Sequence, residues 1–412
     1  MKKFLSFLFI STSICSFSQL NVYTVDVTAN DIVYDKVSNK IYASISSANG
    51  SNGNSIGIVN LETFQLEKTV FMGSEPTVLA ISDDGKYIYA GFDGASIVRR
   101  FDVPNQKADL QFSLGADSFL GSFYVEDIEV MPGKANTIAV SRRYKSVTPR
   151  HGGVAIYDDN VMRPTTTPGH SGSNVIEFTS ANSLIGYNNE STEYGIRRLS
   201  VNNGGVSNVS LSGSVLSGFN LNFSYFNNKM YSYDGKVVDV TTQPFVIGQF
   251  PNVIGPVVYD ENTDQACFAS YDWNGNISFK RFNAETFLLA DNLPISQAFG
   301  YTGSIINCGK GCYAFNTSDN KIVIIKDAKL STSQNYINNS SVEIYPNPTT
   351  DFVYIKSDNI LSKVEIYDIS GKLIHQSSIT TKIDIRNFSK GNYILKLIDN
   401  KGNVTTKQIL KK

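Results

Sequence analysis

Short apolar runs separated by polar turns recur along the chain from Gln19 to Lys329. Each repeat contains an apolar strand, a turn rich in Asn, Asp or Gly, a second strand rich in Tyr and Ala, and two further strands. The first strands of successive repeats are taken at Ile32, Val78, Ile128, Ile176, Leu221, Val257 and Ile305. These positions lie 36 to 50 residues apart, which is the length of one four-stranded blade of a β-propeller.

Seven first strands predict seven blades, but the last repeat has only three strands before Lys329. An alternating run, Leu20–Val27, precedes the first repeat. We expect this run to supply the outer strand of the last blade, because that pairing closes the ring and removes an open sheet edge. Residues 19–330 are therefore predicted to form a seven-bladed β-propeller.

The segment 342–412 is predicted to be a second, smaller domain, so that the whole chain is all-β. Its short alternating runs, such as Phe352–Ile355 and Tyr393–Ile398, are separated by Asn, Asp, Ser and Gly. This pattern is typical of a small Ig-like β-sandwich. The polar segment 331–341 is expected to link the two domains.

Three motifs of the smaller domain occur in the order and spacing of a known family. They are Tyr345-Pro346-Asn347-Pro348-Thr349, the run Val364–Asp368 followed by Gly371, and Gly391-Asn392-Tyr393-Ile394. On these residues the domain resembles the C-terminal sorting domain of type IX secretion cargo. The resemblance implies export through the periplasm, recognition by the type IX translocon and its sorting machinery, and release or attachment at the outer-membrane surface. An ordinary adhesion-type sandwich is the alternative.

The propeller repeats carry a looser resemblance. The run Ile81-Ser82-Asp83-Asp84-Gly85-Lys86-Tyr87-Ile88-Tyr89 is similar to the repeats of YVTN and lactonase-like propellers, and the similarity degenerates in the third to fifth copies. It supports the fold rather than an activity, because one fold serves many functions.

Residues 1–18 have the pattern of a signal peptide. Lys2 and Lys3 precede an apolar stretch, and Ser16-Phe17-Ser18 is a small-x-small cleavage site. A lipoprotein acylated at Cys15 is the rival interpretation, although Ile14 stands where a small residue is expected. No other segment approaches transmembrane length, so we expect a secreted or surface protein without a membrane span.

Charge divides unevenly between the two predicted domains. Residues 19–340 carry 23 Lys or Arg against 30 Asp or Glu, whereas residues 341–412 carry 11 against seven. An acidic propeller gives no support to nucleic-acid binding, which favours basic surfaces.

Three cysteines follow the predicted cleavage site. Cys308 and Cys312 enclose a glycine-rich turn, so they are candidates for a disulfide in an oxidising compartment, with two core thiols as the alternative. Cys267 lies in a strand-like run and is expected to be a small buried side chain.

Ligands of propellers usually bind at the loops gathered on one face of the ring. Here that face, the loop face, is expected to hold the loops between second and third strands and the connections between blades. A basic group on it suits carboxylate or sulfate ligands, unless it is simply a solvated loop. Its members are Arg142, Arg143, Lys145, Arg150 and His151.

Tyr271 and Trp273 are the aromatic candidates on the same face, and they would stack on a sugar or anchor a peptide. Packing between blades is the alternative for Trp273. The adjoining run Asp272–Asn276 resembles a calcium loop, but Ile277 replaces the required glycine and Asn283 the bidentate carboxylate. We therefore expect no metal.

Enzyme motifs are missing from the sequence. The sequence has only three histidines, His151, His170 and His375. These are too few to favour a Ser-His-Asp triad or a multi-histidine metal centre. We predict no cofactor and a binding propeller for a glycan, peptide or protein partner. The alternative is a degenerate lactonase-like or glycan-cleaving hydrolase, whose carboxylates would converge about 5–10 Å apart in the channel.

Overall fold

The computed structural model describes residues 20–327, 342–357, 360–368, 372–378, 381–400 and 404–412. The chain divides into two compact units, Met1–Leu330 and Ser331–Lys412. The predicted signal peptide, the predicted linker and Gly371 lie outside the described residues. No helix in the described part of the chain is long and apolar enough to cross a membrane.

The first unit is a β-propeller of antiparallel four-stranded sheets. Strand β1 (Leu20–Asp26) precedes the first two blades, and a small hairpin, β10 (Ala116–Asp117) and β11 (Gly121–Ser122), follows them. The first blade contains β2 (Ala29–Asp35), β3 (Lys40–Ile45), β4 (Ser55–Asn60) and β5 (Gln65–Phe71), with a 3-10 helix at Ser47–Asn52. The second contains β6 (Pro76–Ile81), β7 (Tyr87–Phe92), β8 (Ile97–Asp102) and β9 (Lys107–Ser113).

The next four blades repeat this order of strands. The third contains β12 (Tyr124–Val130), β13 (Thr137–Arg143), β14 (His151–Asp158) and β15 (Val161–Met162), and the fourth contains β16 (Val175–Ser180), β17 (Ser183–Tyr187), β18 (Ile196–Asn202) and β19 (Gly205–Ser212). The fifth contains β20 (Phe223–Phe226), β21 (Lys229–Ser232), β22 (Lys236–Asp239) and β23 (Phe245–Gln249), and the sixth contains β24 (Val257–Asp260), β25 (Gln265–Tyr271), β26 (Asn276–Asn283) and β27 (Leu289–Phe299). The fifth first strand thus begins at Phe223, two residues after the predicted Leu221, because Leu221 and Asn222 follow a turn at Phe219 and Asn220 and precede the first paired residue.

The seventh sheet confirms the predicted closure. Strands β28 (Thr302–Asn307), β29 (Cys312–Thr317) and β30 (Lys321–Asp327) are joined by β1, which pairs antiparallel with β30 from Leu20 opposite Asp327 to Asp26 opposite Lys321. The first strands of the seven sheets contact one another in chain order, and β28 contacts β2. The ring therefore has no open end.

Burial within a blade explains the sequence pattern. The second strand β3 is buried over five consecutive residues, Ile41 to Ile45, because both of its faces pack against neighbouring blades. The outer strand β5 is mostly exposed, and its exposed residues include the polar Gln65, Glu67 and Lys68. Continuous apolar runs at second strands and mixed runs at outer strands follow from these two environments.

The second unit is a small sandwich of two sheets. One sheet has the order β31-β32-β35, and the other has the order β34-β33-β36-β37. The strands are β31 (Glu343–Tyr345), β32 (Phe352–Lys356), β33 (Leu361–Asp368), β34 (Leu373–Ser377), β35 (Lys382–Asp384), β36 (Gly391–Asp399) and β37 (Val404–Lys411). Val353, Ile366 and Leu395, all fully buried, contribute to its core.

The motif residues of this unit have structural roles. The Asn347 side chain forms two hydrogen bonds with the backbone of β37, as a neighbouring strand would. Its Nδ2 donates to the Gln408 carbonyl at 2.7 Å, and its Oδ1 accepts from the Leu410 N–H at 2.9 Å. The Tyr393 hydroxyl donates to the Ser389 carbonyl at 2.8 Å. Gly391 has a φ of 149°, a conformation that side chains rarely adopt. Tyr345 remains exposed and stacks on Tyr354.

Candidate functional site

A cavity of about 490 Å³ lies at one end of the propeller channel, and we call it the channel pocket. Its wall comes mainly from the first halves of first strands, such as Asp31, Asp127 and Glu177, together with Asn189 and Tyr233 from loops between second and third strands. These are the elements that define the loop face, so the pocket lies on the predicted side of the ring.

Two aspartates of the pocket hold neighbouring blades together. Asp31 accepts hydrogen bonds from the Ile32 N–H and from the Leu79 N–H of the next blade, both at 2.8 Å. Asp127 does the same with Ile128 at 3.0 Å and with Ile176 at 2.8 Å. Burial nevertheless raises the pKa of Asp31 to about 6 and that of Asp127 to about 7.

Two glutamates of the same wall have raised pKa values, although Glu177 accepts one backbone hydrogen bond, from Tyr225. Burial, with the charge of Asp127, raises the pKa of Glu177 to about 8. Burial and the charge of Glu177 hold the pKa of Glu129 well above its usual range. Carboxyls that are removed from bulk water and placed near one another favour the protonated form. The pocket is therefore rich in carboxyl groups whose pKa values are raised above their ordinary range.

A third glutamate, Glu126, is paired with arginines, although burial still raises its pKa. Arg143 Nε lies 3.0 Å and Arg150 Nη2 3.5 Å from its carboxylate oxygens. Arg150 also pairs with Glu190 at 2.8 Å, and Arg143 pairs with Asp93. These ion pairs join residues from the second, third and fourth blades, and they occupy Arg143 and Arg150, two of the three arginines of the predicted basic group. Lys145 of the same group lies 3.2 Å from Asp93.

The other two members of that group are buried. Arg142 is 5% exposed, lies over the Phe123 ring at 4.4 Å and donates from Nε to the Gly153 carbonyl at 3.3 Å. His151 is 1% exposed, and neither ring nitrogen has a hydrogen-bond partner among the described residues. Burial, aided by the positive charges of Arg197 and Arg142, lowers the pKa of His151 to about 3, so the ring is neutral. Neither side chain presents a charge on the loop face.

The aromatic candidates lie on the sixth blade, away from the basic group on the third. Trp273 is 92% exposed, so the alternative that it packs between blades is wrong. It occupies a tight turn in which Asp272 accepts hydrogen bonds from the Asn274 and Asn276 N–H groups, both at 2.9 Å. Tyr271 is partly buried and meets the Tyr301 ring edge-on, with centroids 5.1 Å apart.

Tyr301 and Phe299 extend these residues into an aromatic patch. They are 63% and 57% exposed and lie in or beside the connection from the sixth to the seventh blade. A groove of about 550 Å³, lined in part by Phe299 and Asn276, borders this patch. We use "aromatic patch" for Tyr271, Trp273, Phe299 and Tyr301.

The disulfide candidates are joined. Cys308 and Cys312 form a disulfide, and the Cys308 N–H donates to the Cys312 carbonyl at 2.8 Å across the turn. Cys267 is a buried free thiol. No group of three or more His, Cys, Asp or Glu that could hold a metal ion occurs in the part of the chain that the structure describes.

The channel carboxyls were not predicted individually from the sequence. Asp31 and Asp127 each stand immediately before the isoleucine that marks a first strand, and Glu129 and Glu177 follow such a position by one residue. A register comparison of first strands would have placed all four on the channel wall. The equivalent positions of the sixth repeat hold Pro256 and Val258, so only some blades carry a carboxyl residue beside the marked position of the first strand.

Comparison with known proteins gives a family for the smaller domain. Residues 343–412 match the family described as the secretion system C-terminal sorting domain. A search of curated proteins found no match to the chain.

Solved structures give the fold of the larger unit. The β-propeller domain of Myceliophteria thermophila Cps50 (Swd1) has a TM-score of 0.57 at 12% identity, covering 75% of this chain and 99% of that one. Kuenenia stuttgartiensis hydrazine synthase has a TM-score of 0.56 at 12% identity, covering 78% and 99%. The RRP9 WD40 repeats have a TM-score of 0.56 at 14% identity, covering 74% and 97%. At these identities the likeness concerns the fold alone.

Proposed function

We propose that the propeller is a binding protein that engages a glycan, peptide or protein partner through its loop face. One observation carries the proposal: carboxyl, amide and hydroxyl groups from several blades line one cavity on that face. Ligand sites in proteins are commonly concave and present a few convergent polar groups. The aromatic patch supplies a second contact surface of the kind that stacks on sugars or anchors peptides.

The site of action is outside the cell. The chain carries a type IX sorting domain, which directs export to the cell surface or the extracellular space. The domain limits belong to the proposal: a signal peptide at 1–18, the propeller at 19–330, a linker at 331–341 and the sorting domain at 342–412. The type IX translocon is the partner of the last segment, and the propeller is the part that works at the destination.

A glycan and peptide array tests the binding function. The purified secreted protein is compared with a Tyr271→Ala/Trp273→Ala variant and with a Glu129→Gln/Glu177→Gln variant. We expect array ligands whose signal falls in one or both variants, while a Glu285→Gln variant, changed at an exposed site, binds normally. An array without signal would contradict the proposal and favour a purely structural surface protein. Signals that none of the variants changes would place the ligand elsewhere.

A glycan-cleaving hydrolase is the second candidate, and the raised pKa values favour it. A general acid has to remain protonated near neutral pH, as Glu177 does with a pKa of about 8. Incubation of array-positive glycans with the protein, followed by measurement of new reducing ends, separates the two functions. Cleavage that disappears in Glu177→Gln supports the hydrolase, and intact glycans support binding alone.

A further inference from the structure

We propose that the channel pocket binds an organic cation, an alkylammonium or guanidinium group, held by Glu129 and Glu177 with Asn174 as a neutral acceptor. The inference rests on the proposed binding function and assigns the chemistry of the group that enters the channel. It concerns the pocket only and is independent of the aromatic patch.

The charge of the wall is one-sided. The residues that line the pocket include five carboxyl groups, on Asp31, Glu126, Asp127, Glu129 and Glu177, and neither Lys nor Arg. Glu126 forms an ion pair of 3.0 Å with Arg143, which does not line the pocket, although burial still raises the pKa of Glu126. The aspartates already accept two backbone hydrogen bonds each. Glu129 and Glu177 are therefore the groups with most to gain from a cation.

Asn174 gives an independent sign of a missing donor. The residue lines the pocket and is 1% exposed, and its Nδ2 donates to Glu190 Oε2 at 3.1 Å. Its Oδ1 has no hydrogen-bond partner among the residues that the structure describes. Rotating the amide would place that oxygen against a carboxylate oxygen, so the orientation is chemically fixed. A buried acceptor without a donor is unfavourable, and an ammonium or guanidinium group would supply the donor.

The titration of the wall agrees with this chemistry. Glu129 and Glu177 have raised pKa values because they are buried near each other and near the aspartates. The Tyr233 phenol, which lines the same pocket, has its pKa raised by burial and by the charges of Asp31, Glu177 and Asp127. No cation balances these groups on the wall. A bound cation would favour the ionised carboxylates and release protons on binding.

The size of the cavity indicates the kind of cation. A volume of about 490 Å³ admits a lysine or arginine side chain, or a small diamine, and is far larger than a single metal ion. Tyr233 adds an aromatic ring of the kind that attracts organic cations. The cation comes either from a basic side chain of a peptide or from a small free amine.

Isothermal titration calorimetry of the secreted protein at low salt tests the inference. The probes are 1,5-diaminopentane, Nα-acetyl-lysine methylamide and its Nε-acetylated, uncharged form. We expect at least one charged probe to bind, and to bind more tightly at about pH 8.5 than at about pH 6, because the carboxyls must lose protons. The diamine binding alone indicates a free amine, and the lysine probe binding indicates a peptide side chain.

Glu129→Gln/Glu177→Gln is expected to weaken this binding by about tenfold or more, and Glu285→Gln is the matched control. Equal binding of the uncharged probe, no binding of either charged probe, or unchanged binding in the channel variant would overturn the inference. Calcium chloride that displaces the amine and binds more tightly would also overturn it. Should the channel variant fail to fold, titration of the wild type in two buffers of different ionisation enthalpy replaces it. Proton release supports the inference, and its absence contradicts it.

The array separates this inference from the proposed function. An array ligand that requires the channel glutamates but has no positive charge would support the binding function and contradict the proposal that the pocket binds a cation. If small cations bind but the array gives no signal, the cation assignment of the pocket is supported and the proposed glycan or peptide ligand is contradicted.

Discussion

Asp127 Oδ2 accepts a hydrogen bond of 2.8 Å from the N–H of Ile176, which belongs to the neighbouring blade. The same relationship joins Asp31 to Leu79 at 2.8 Å between the first and second blades. In both cases the other carboxyl oxygen is bonded within its own strand. These aspartates therefore fix the spacing of first strands at the channel while they add acidity to the pocket.

Replacing Asp127 with alanine should destabilise the propeller. The N–H groups of Ile128 and Ile176 would lose their acceptor, at a cost of roughly 1–3 kcal/mol each if they stay buried and unpaired. We expect Tm to fall by roughly 2 °C or more at about pH 5, where the wild-type carboxyl is protonated and charge repulsion does not contribute. Differential scanning calorimetry measures the change. Asp127→Asn keeps one acceptor oxygen, so its Tm should lie between the Tm of the wild type and that of Asp127→Ala. Asp26→Ala, which changes an exposed residue, should have the Tm of the wild type.

The stability of the empty propeller should fall with rising pH because of its channel. Glu177 has a folded pKa of about 8, above its ordinary value, so the folded state retains a proton that the unfolded chain releases. Its favourable contribution is complete below the unfolded pKa and is lost as the pH rises through about 8. Glu177→Gln removes this term, so we expect the variant to have the higher Tm at about pH 8.5 and to converge with the wild type near about pH 4.

Glu285→Gln is the control for this pH series, because Glu285 is exposed on an outer turn. Thermal melts between about pH 4 and about pH 9 give the comparison. A difference between Glu177→Gln and the wild type that stays constant with pH would contradict the raised pKa.

Reduction of the Cys308–Cys312 disulfide should lower the stability of the last blade modestly. The two cysteines are four residues apart, so the bond constrains only a short loop of the unfolded chain, worth roughly 2 kcal/mol. Melting with and without dithiothreitol should show a lower Tm in the reduced wild type. A Cys308→Ala/Cys312→Ala variant should not respond to the reductant, and a similar response from that variant would contradict the stabilising role of this disulfide.

Deleting residues 342–412 should leave a folded propeller that remains inside the cell envelope. The two units have separate cores, and the sorting family covers residues 343–412 only. Cell fractionation and immunoblotting locate the truncated protein, and circular dichroism of the purified propeller checks its fold. Its normal appearance outside the cell would contradict the role of the sorting domain.

Much of the fold was predictable because it depends on local patterns. The blade repeat follows from the alternation of buried and half-exposed strands, and the role of Leu20–Asp26 follows from the strand missing at the last repeat. The fifth first strand was predicted two residues too early, because the apolar Leu221 lies between a turn and the strand that begins at Phe223.

The site was less predictable because it depends on which side chains meet across the ring. Polar and charged residues around 142–151 suggested an exposed loop, but β13 extends to Arg143 and β14 begins at His151, so Arg142 and His151 lie within strands and are buried. Glu129 and Glu177 are 48 residues apart in the sequence, and neither has a local motif. The packing of β12 against β16 of the next blade brings these two residues to one pocket.

The pairing of β1 with β30 also sets the order in which the propeller is completed. Leu20, the first described residue, lies opposite Asp327, so the seventh blade is made from the earliest and the latest parts of the propeller. During synthesis, β1 has no partner strand until nearly the whole propeller has left the ribosome. Completion of the ring is therefore a late event, and until then β1 stays without its partner strand.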